Sequence, residues 1–145
     1  RGNLENVALR LYETAKVNKA KYFVRISGDS PMIDPKLIDK AIKISKKTKG
    51  QDIITNVFPR TFPKGQSVEV IKTFTLKKNL KNFSKTDKEH VTKFFYKNSK
   101  KFSIKNFVLN NKDNEIKMSI DTKKDLKLIL KKFDKKNFKN YSLGL

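Results

Sequence analysis

Cysteine is absent from this chain, and a single histidine stands at position 90. The first absence excludes a disulfide framework, a thiolate metal site and a cysteine nucleophile. A lone imidazole without thiolates does not make a zinc centre. Glycine is scarce, with five residues and no cluster among them, so no Walker-type phosphate loop is present. Nor does a Gly-x-Ser-x-Gly elbow or a complete nucleophilic triad occur. Four prolines are too dispersed to make a linker, and no internal repeat divides the chain. No apolar run approaches the ~20 residues that span a bilayer, and no secretory signal is visible. Acidic residues are also few, 14 against 35 lysines and arginines.

What is present reads as one compact domain over residues 1–145, with a modest hydrophobic share of 37%. Eleven phenylalanines and four tyrosines supply bulk for a core. The formal charge of +21 would ordinarily point to nucleic acid or an anionic membrane. Here the lysines are spread over every segment and accompany abundant Asn and Ile, all residues with A/T-rich codons. Arginine, the residue suited to bidentate phosphate or base contacts, occurs only at Arg1, Arg10, Arg25 and Arg60. The basicity is therefore read as compositional, with no membrane and no nucleic-acid partner expected. A positive field still attracts anionic small molecules.

Periodicity gives alternating elements. Asn3 is expected to cap a helix from Leu4 to about Val17, with Leu4, Val7, Ala8, Leu11 and Ala15 at helical spacing. A strand follows over Tyr22 to Ser27. Asp34 caps a helix begun by Pro35, whose Leu37, Ile38, Ala41, Ile42 and Ile44 face inward before Gly50. Asp52 to Asn56 reads as a short strand, Pro59 to Gly65 as a loop, and Ser67 to Ile71 as a strand with Val68 and Val70 on one face. Helices are expected around Leu76 to Asn82 and from Thr86 to about Lys97. Two more strands, Ser103 to Leu109 and Ile116 to Ile120, flank the turn NNKDN, and Thr122 caps a last helix through Lys132. Mixed strands and helices predict an α/β sandwich with partly parallel strands.

Within that order, VRISGDSPMIDP (Val24 to Pro35) is a strand ending in an acidic turn, and ligands of open α/β sheets gather at such strand ends. Asp29 either caps the turn or faces a ligand. Asp121, after the strand Ile116 to Ile120, has the same two readings. If the two strands are neighbours, the two carboxylates converge at one edge.

Five segments, in order, resemble the cytidylyltransferases of the spore-coat polysaccharide branch, which activate acidic sugars as CMP-sugars. They are RGNLENVALRLYETAK, VRISGDSPMIDPKLID, TNVFPRTFPKGQSVEV, KEHVT and MSIDTKKDLKLI. The resemblance implies a three-layer, Rossmann-like nucleotide-diphospho-sugar transferase sandwich. It implies Mg²⁺ held by Asp29 and Asp121 against the triphosphate of CTP, in keeping with the oxygen-ligand preference of that cation. It also implies surface-glycan biosynthesis and a homodimer to which Arg60 to Leu80 contributes, and a cytoplasmic setting is the default. The Gly-rich triphosphate signature with which such enzymes begin is not found, and the chain opens at Arg1, so the expectation is the C-terminal part of a longer enzyme. Ser67 stands where an Asp is usual, which removes a charge beside the expected sugar site.

The remaining candidates concern substrate binding. Arg60 either clamps the sugar carboxylate, for which a guanidinium fork is suited, or is a loop cation. Arg10 faces the nucleotide or solvent, and Glu69 the mouth of a site or solvent. Glu89 and His90 lie in the Glu-His-Val-Thr run, where the imidazole serves as acid or base or is structural. Arg25, alternating with Val24 and Ile26, points to the opposite sheet face and is expected to pair with an acid. Phe94, Phe95 and Tyr96 read as core or dimer contact. The alternative to an enzyme is a basic nucleic-acid-binding module in which both aspartates are caps; a further one is an inactive relative of the same fold.

Overall fold

The computed structural model describes residues 2–109 and 117–132. The turn expected at 110–114 and the start of the strand expected at 116 lie outside the described residues.

The first helix, α1 (Val7–Val17), begins later than the periodicity suggests. Asn3 spends its side-chain oxygen on the Glu5 N–H at 2.8 Å, and Asn6 caps the helix by accepting from the Leu9 N–H at 3.0 Å. Leu4 is left 85% exposed. Strand β1 (Tyr22–Arg25) ends short of Ile26 and Ser27. Helix α2 (Pro35–Lys47) starts as expected, with Asp34 accepting from the Lys36 N–H at 2.9 Å and Pro35 fixing the first turn. Strands β2 (Ile53–Thr55) and β3 (Glu69–Lys72) follow. Helix α3 (Thr73–Asn79) begins directly from β3 and tightens into a 3-10 turn over Leu80–Asn82.

The helix expected from Thr86 to Lys97 is broken in two. Ser84 and Asp87 make a reciprocal capping box that starts α4 (Lys85–Glu89). His90, at φ −101° and ψ 68°, leaves the helical region, and α5 (Val91–Lys97) starts again behind it. Strand β4 (Ile104–Asn106) and helix α6 (Lys123–Lys132) complete the described elements. Thr122 caps α6 in reciprocity with Asp125: Thr122 Oγ1 accepts from the Asp125 N–H at 3.2 Å, and Asp125 Oδ2 accepts from the Thr122 N–H at 2.9 Å.

The strands form one mixed sheet in the order β1-β3-β2-β4. Strand β3 runs antiparallel to both β1 and β2, and β4 lies parallel to β2. Alternation sorts the side chains into two cores. On one face Ile53 and Ile71 join Ala8, Leu76, Phe83, Val91 and Phe95, so α1, α3 and α5 cover it. On the other, Ile54, Val68 and Val70 pack with Leu37, Ala41, Phe62 and Phe107, so α2 covers it. The result is a three-layer, Rossmann-like α/β sandwich.

One expected strand is absent. Within residues 117–120 only Lys117 makes a bridge, parallel to Lys64. The Met118 N–H donates to Lys64 O at 2.7 Å, and the Ile120 N–H to Asp29 O at 2.8 Å. Both acceptors sit in loops rather than in a strand, so the segment ties two loops together instead of extending the sheet. Gly65 permits this crossing: its φ is +97°, and a Cβ there would lie 2.4 Å from the Met118 carbonyl carbon.

Candidate active site

Register places the first polar pair. Arg25 and Glu69 are opposite each other across β1 and β3, on the face away from Val24, Val68 and Val70. Arg25 Nη1 meets Glu69 Oε2 at 2.6 Å, with the carboxylate buried and the guanidinium partly so. The other carboxylate oxygen accepts from the Tyr96 hydroxyl at 2.6 Å. Because that proton is committed, Thr55 Oγ1, 2.9 Å from the phenol oxygen, is the donor in their bond, and it accepts in turn from the Val57 N–H at 3.2 Å. A chain of four side chains thus joins β1, β3, α5 and β2. Burial, then the Glu69 charge, push the Tyr96 phenol far above its ordinary pKa. Tyr96 stays neutral.

Arg25, Glu69 and Tyr96 of this chain form part of the wall of a cavity of about 550 Å³, which Val57, Phe58, Arg60, Ser67, His90, Thr92, Lys93 and Lys97 also line. Arg60 is carried on a tight turn closed by the Val57–Arg60 bridge. Its Nη2 donates to Ser67 Oγ at 3.0 Å, while its buried Nη1 has no hydrogen-bond partner. A buried guanidinium nitrogen without an acceptor is an unmet demand for an anion or a water. Glu69 is the one acid among the described lining residues, and Arg25 already neutralises it; Arg60, Lys93 and Lys97 leave the cavity positive.

Two buried amides hold the loop that carries Arg60. Asn56 donates to Gln66 O at 2.7 Å and accepts from the Val68 N–H at 2.9 Å. Gln66 donates to Met32 O at 2.6 Å and to Met118 Sδ at 3.2 Å, and accepts from the Asp34 N–H at 2.9 Å. Hydrophobic patterning gives no sign of either residue. By contrast, Lys93, Tyr96 and Lys97 recur at helical spacing, a signal that marks one face of α5. Tyr96 is also separated from its neighbours: Phe94 and Phe95 pack with Phe83 and Phe102, whereas Tyr96 turns to the cavity and stacks on Phe58.

Of the substrate-binding candidates, the cavity gathers Arg60, Glu69 and His90. Glu89 is exposed at the end of α4 and is not in the described lining. Arg10 lies elsewhere: its Nη1 donates to the Asn3 and Leu4 carbonyls at 3.0 and 3.1 Å, beside a separate cleft of about 500 Å³ that includes Phe23 and Val24.

The two aspartates lie on loop segments joined by one main-chain bond, and Ser27, close before Asp29 in the chain, lines the cavity. Asp29 is exposed in the turn after β1, with Oδ1 accepting from Ser30 Oγ at 2.9 Å. The Ile120 N–H donates to Asp29 O, and Asp121 is the next residue in the chain. Asp121, more than half exposed, pairs with Lys117 at 2.8 Å, and the same ammonium lies 2.7 Å from Asp125. No group of three or more acidic or histidine ligands occurs among the described residues. Two carboxylates suffice for a Mg²⁺ that draws its other ligands from phosphates and water, so the donor set fits that cation.

A three-layer α/β sandwich with a basic cavity and two exposed aspartates in adjoining loops is an arrangement of the nucleotidyltransferase type. The chain belongs to the cytidylyltransferase family, whose model matches residues 1–142. The solved structure of a cytidylyltransferase from Leptospira borgpetersenii superposes with a TM-score of 0.86 at 26% identity, over 97% of this chain and 62% of that one. An uncharacterized protein of Methanocaldococcus jannaschii is 34% identical over 97 residues, 66% of this chain and 38% of the relative. The chain thus spans less than two thirds of either relative's length. Among the described residues no helix is long and apolar enough to cross a membrane.

Proposed function

We propose that the protein transfers a cytidylyl group from CTP to an acidic sugar, giving a CMP-sugar and pyrophosphate. The observation that carries this reading is the unpartnered, buried Nη1 of Arg60 in a positive cavity whose one described acid is already paired. Arg60 takes the sugar carboxylate there, with Lys93 and Lys97 adding to the field. A sugar hydroxyl attacks the α-phosphorus; a new P–O bond forms, the bond to the β-phosphate bridge breaks, and the hydroxyl proton leaves to solvent. Asp29 and Asp121 would hold Mg²⁺, which neutralises triphosphate charge when bound. The chain's own contribution is orientation, since such transfer depends mostly on placing the reactants in line. The reading places the protein in the cytoplasm, in surface-glycan biosynthesis, as a homodimer in which the strongly exposed Phe74 of α3 contributes contact.

Pyrophosphate release from CTP, with Mg²⁺ and a panel of acidic sugars, tests this on the protein at its native full length. Sugar-dependent release that Asp29→Ala and Asp121→Ala each abolish is the expected result. Release unaffected by both substitutions overturns the metal assignment. A folded protein that releases none with any sugar, yet binds RNA with a steep salt dependence, replaces this reading with the basic binding module.

A further inference from the structure

We infer that the Phe58–Tyr96 ring pair is the surface on which the sugar's C–H face rests, and that Glu69 is the positioning residue that fixes it. The inference rests on the acidic-sugar reading of the cavity and adds which residues select the body of the sugar. The rings are parallel, 8° apart with centroids at 4.9 Å, and both line the cavity. Tyr96 covers one face of Phe58, which remains 38% exposed although Phe62 in the same loop is fully buried. An apolar ring held open in a cavity wall is suited to the less polar face of a sugar ring, whose C–H bonds lie against the negative π face.

The pair is fixed from both sides. The Phe58 N–H donates to Asn106 Oδ1 at 3.2 Å, and Asn106 Nδ2 donates to Pro59 O at 3.0 Å, which tie the loop to β4. The Tyr96 hydroxyl is held by Glu69 and Thr55, and Glu69 by Arg25. With both oxygens of Glu69 engaged, its part is to hold the tyrosine ring against Phe58, not to bind a sugar hydroxyl. A ligand whose carboxylate occupies Arg60, two residues beyond Phe58, then lays its ring along this wall. A compact acid without a ring gains nothing from it. The surface therefore favours cyclic sugar acids with an uninterrupted C–H face.

The test is saturation-transfer NMR with N-acetylneuraminic and glucuronic acids on the full-length protein, beside steady-state kinetics for whichever acid is a substrate. In the native protein the ring C–H protons receive the strongest saturation. Phe58→Ala weakens sugar binding about tenfold, the size expected for losing one aromatic contact, and raises KM for the sugar without a matching rise in KM for CTP. Phe58→Tyr restores binding and Phe58→Leu does not. Glu69→Gln, which keeps an acceptor for the tyrosine, retains sugar affinity; Glu69→Ala loses it. Native binding that Phe58→Ala leaves intact, or a rise in KM for CTP matching that for sugar, overturns this inference and leaves the proposed function standing. A native protein that binds neither acid nor any other acidic sugar overturns both.

Discussion

Around the cavity, side chains hold side chains: Arg25 grips Glu69, Glu69 and Thr55 grip Tyr96, and Tyr96 backs Phe58. At the edge bearing Asp29 and Asp121, main chain holds main chain, through Met118 to Lys64 and Ile120 to Asp29, while the carboxylates stand exposed. The first arrangement fixes chemistry before any ligand arrives, because the Glu69 carboxylate and the Tyr96 hydroxyl are held by protein partners on both sides. The second fixes only where the backbone runs, and leaves its carboxylates to be completed by whatever binds. A site that recognises one organic acid benefits from the former. A site that shares a hydrated cation with phosphates is served by the latter.

The comparison breaks most sharply at Gly65. Substitution by Ala combines a left-handed backbone with a Cβ driven into the Met118 carbonyl, and should cost about 4 kcal/mol by urea denaturation. Hydrogen exchange should show the Met118 and Ile120 amides losing protection while Val70 and Ile71 keep theirs; equal loss in both would mean that the two regions are not independent. Next comes Glu69→Ala, which leaves the Arg25 charge and the Tyr96 hydroxyl without their partner. A loss of about 3 kcal/mol is expected, less with Gln, and with the Asp29 edge unchanged in its exchange pattern. Ser67→Asp sharpens the contrast at smaller cost. The new carboxylate occupies Arg60, so affinity for an acidic sugar should fall roughly tenfold in a titration while affinity for CTP holds.

The smallest effect concerns pH. The Lys117 ammonium, helped by Thr122 and two backbone amides, holds the Asp125 carboxyl at about 2, below its ordinary 3.8. A depressed carboxyl contributes stability above its unfolded value and loses it as pH falls through the folded one. The tie between Lys117 and the start of α6 should therefore loosen between pH 3.8 and about 2, visible as shifts of the Asp121 and Thr122 amide resonances. At the alkaline end, Tyr96 should remain un-ionised in an absorbance titration well past the ordinary tyrosine value of 10.0, because its raised pKa keeps the neutral phenol in the folded state. Its ionisation together with exposed tyrosines would show that the Glu69 network is open in solution.

Much of this was legible in local pattern. Asp34 followed by Pro35 writes a helix start that needs no tertiary partner, and Val68 and Val70 announce by alternation the face from which Glu69 turns away. That Arg25 turns away from the face of Val24 follows from the same period, while its acid partner comes from the register of β1 with β3. Other features were not legible. The chain's periodicity runs through His90, yet the capping box at Ser84 and Asp87 starts one helix, and His90 leaves the helical region so that another begins behind it. Met118 to Ile120 has strand composition, but its partners are a loop carbonyl beside Gly65 and another at Asp29, so it never joins the sheet.

Composition and spacing alone thus determined the alternation of strands and helices, the two faces of β3, and the placing of Asp29 where a strand ends, since each depends on neighbours a few residues apart. Tertiary structure decided the rest. That Tyr96 serves the cavity while Phe94 and Phe95 serve the core, that Arg60 keeps a nitrogen without a partner, and that Gln66 and Asn56 are buried all depend on groups distant in sequence. A buried polar group must be answered by whatever the fold brings within hydrogen-bond reach, and no local pattern records which group that is.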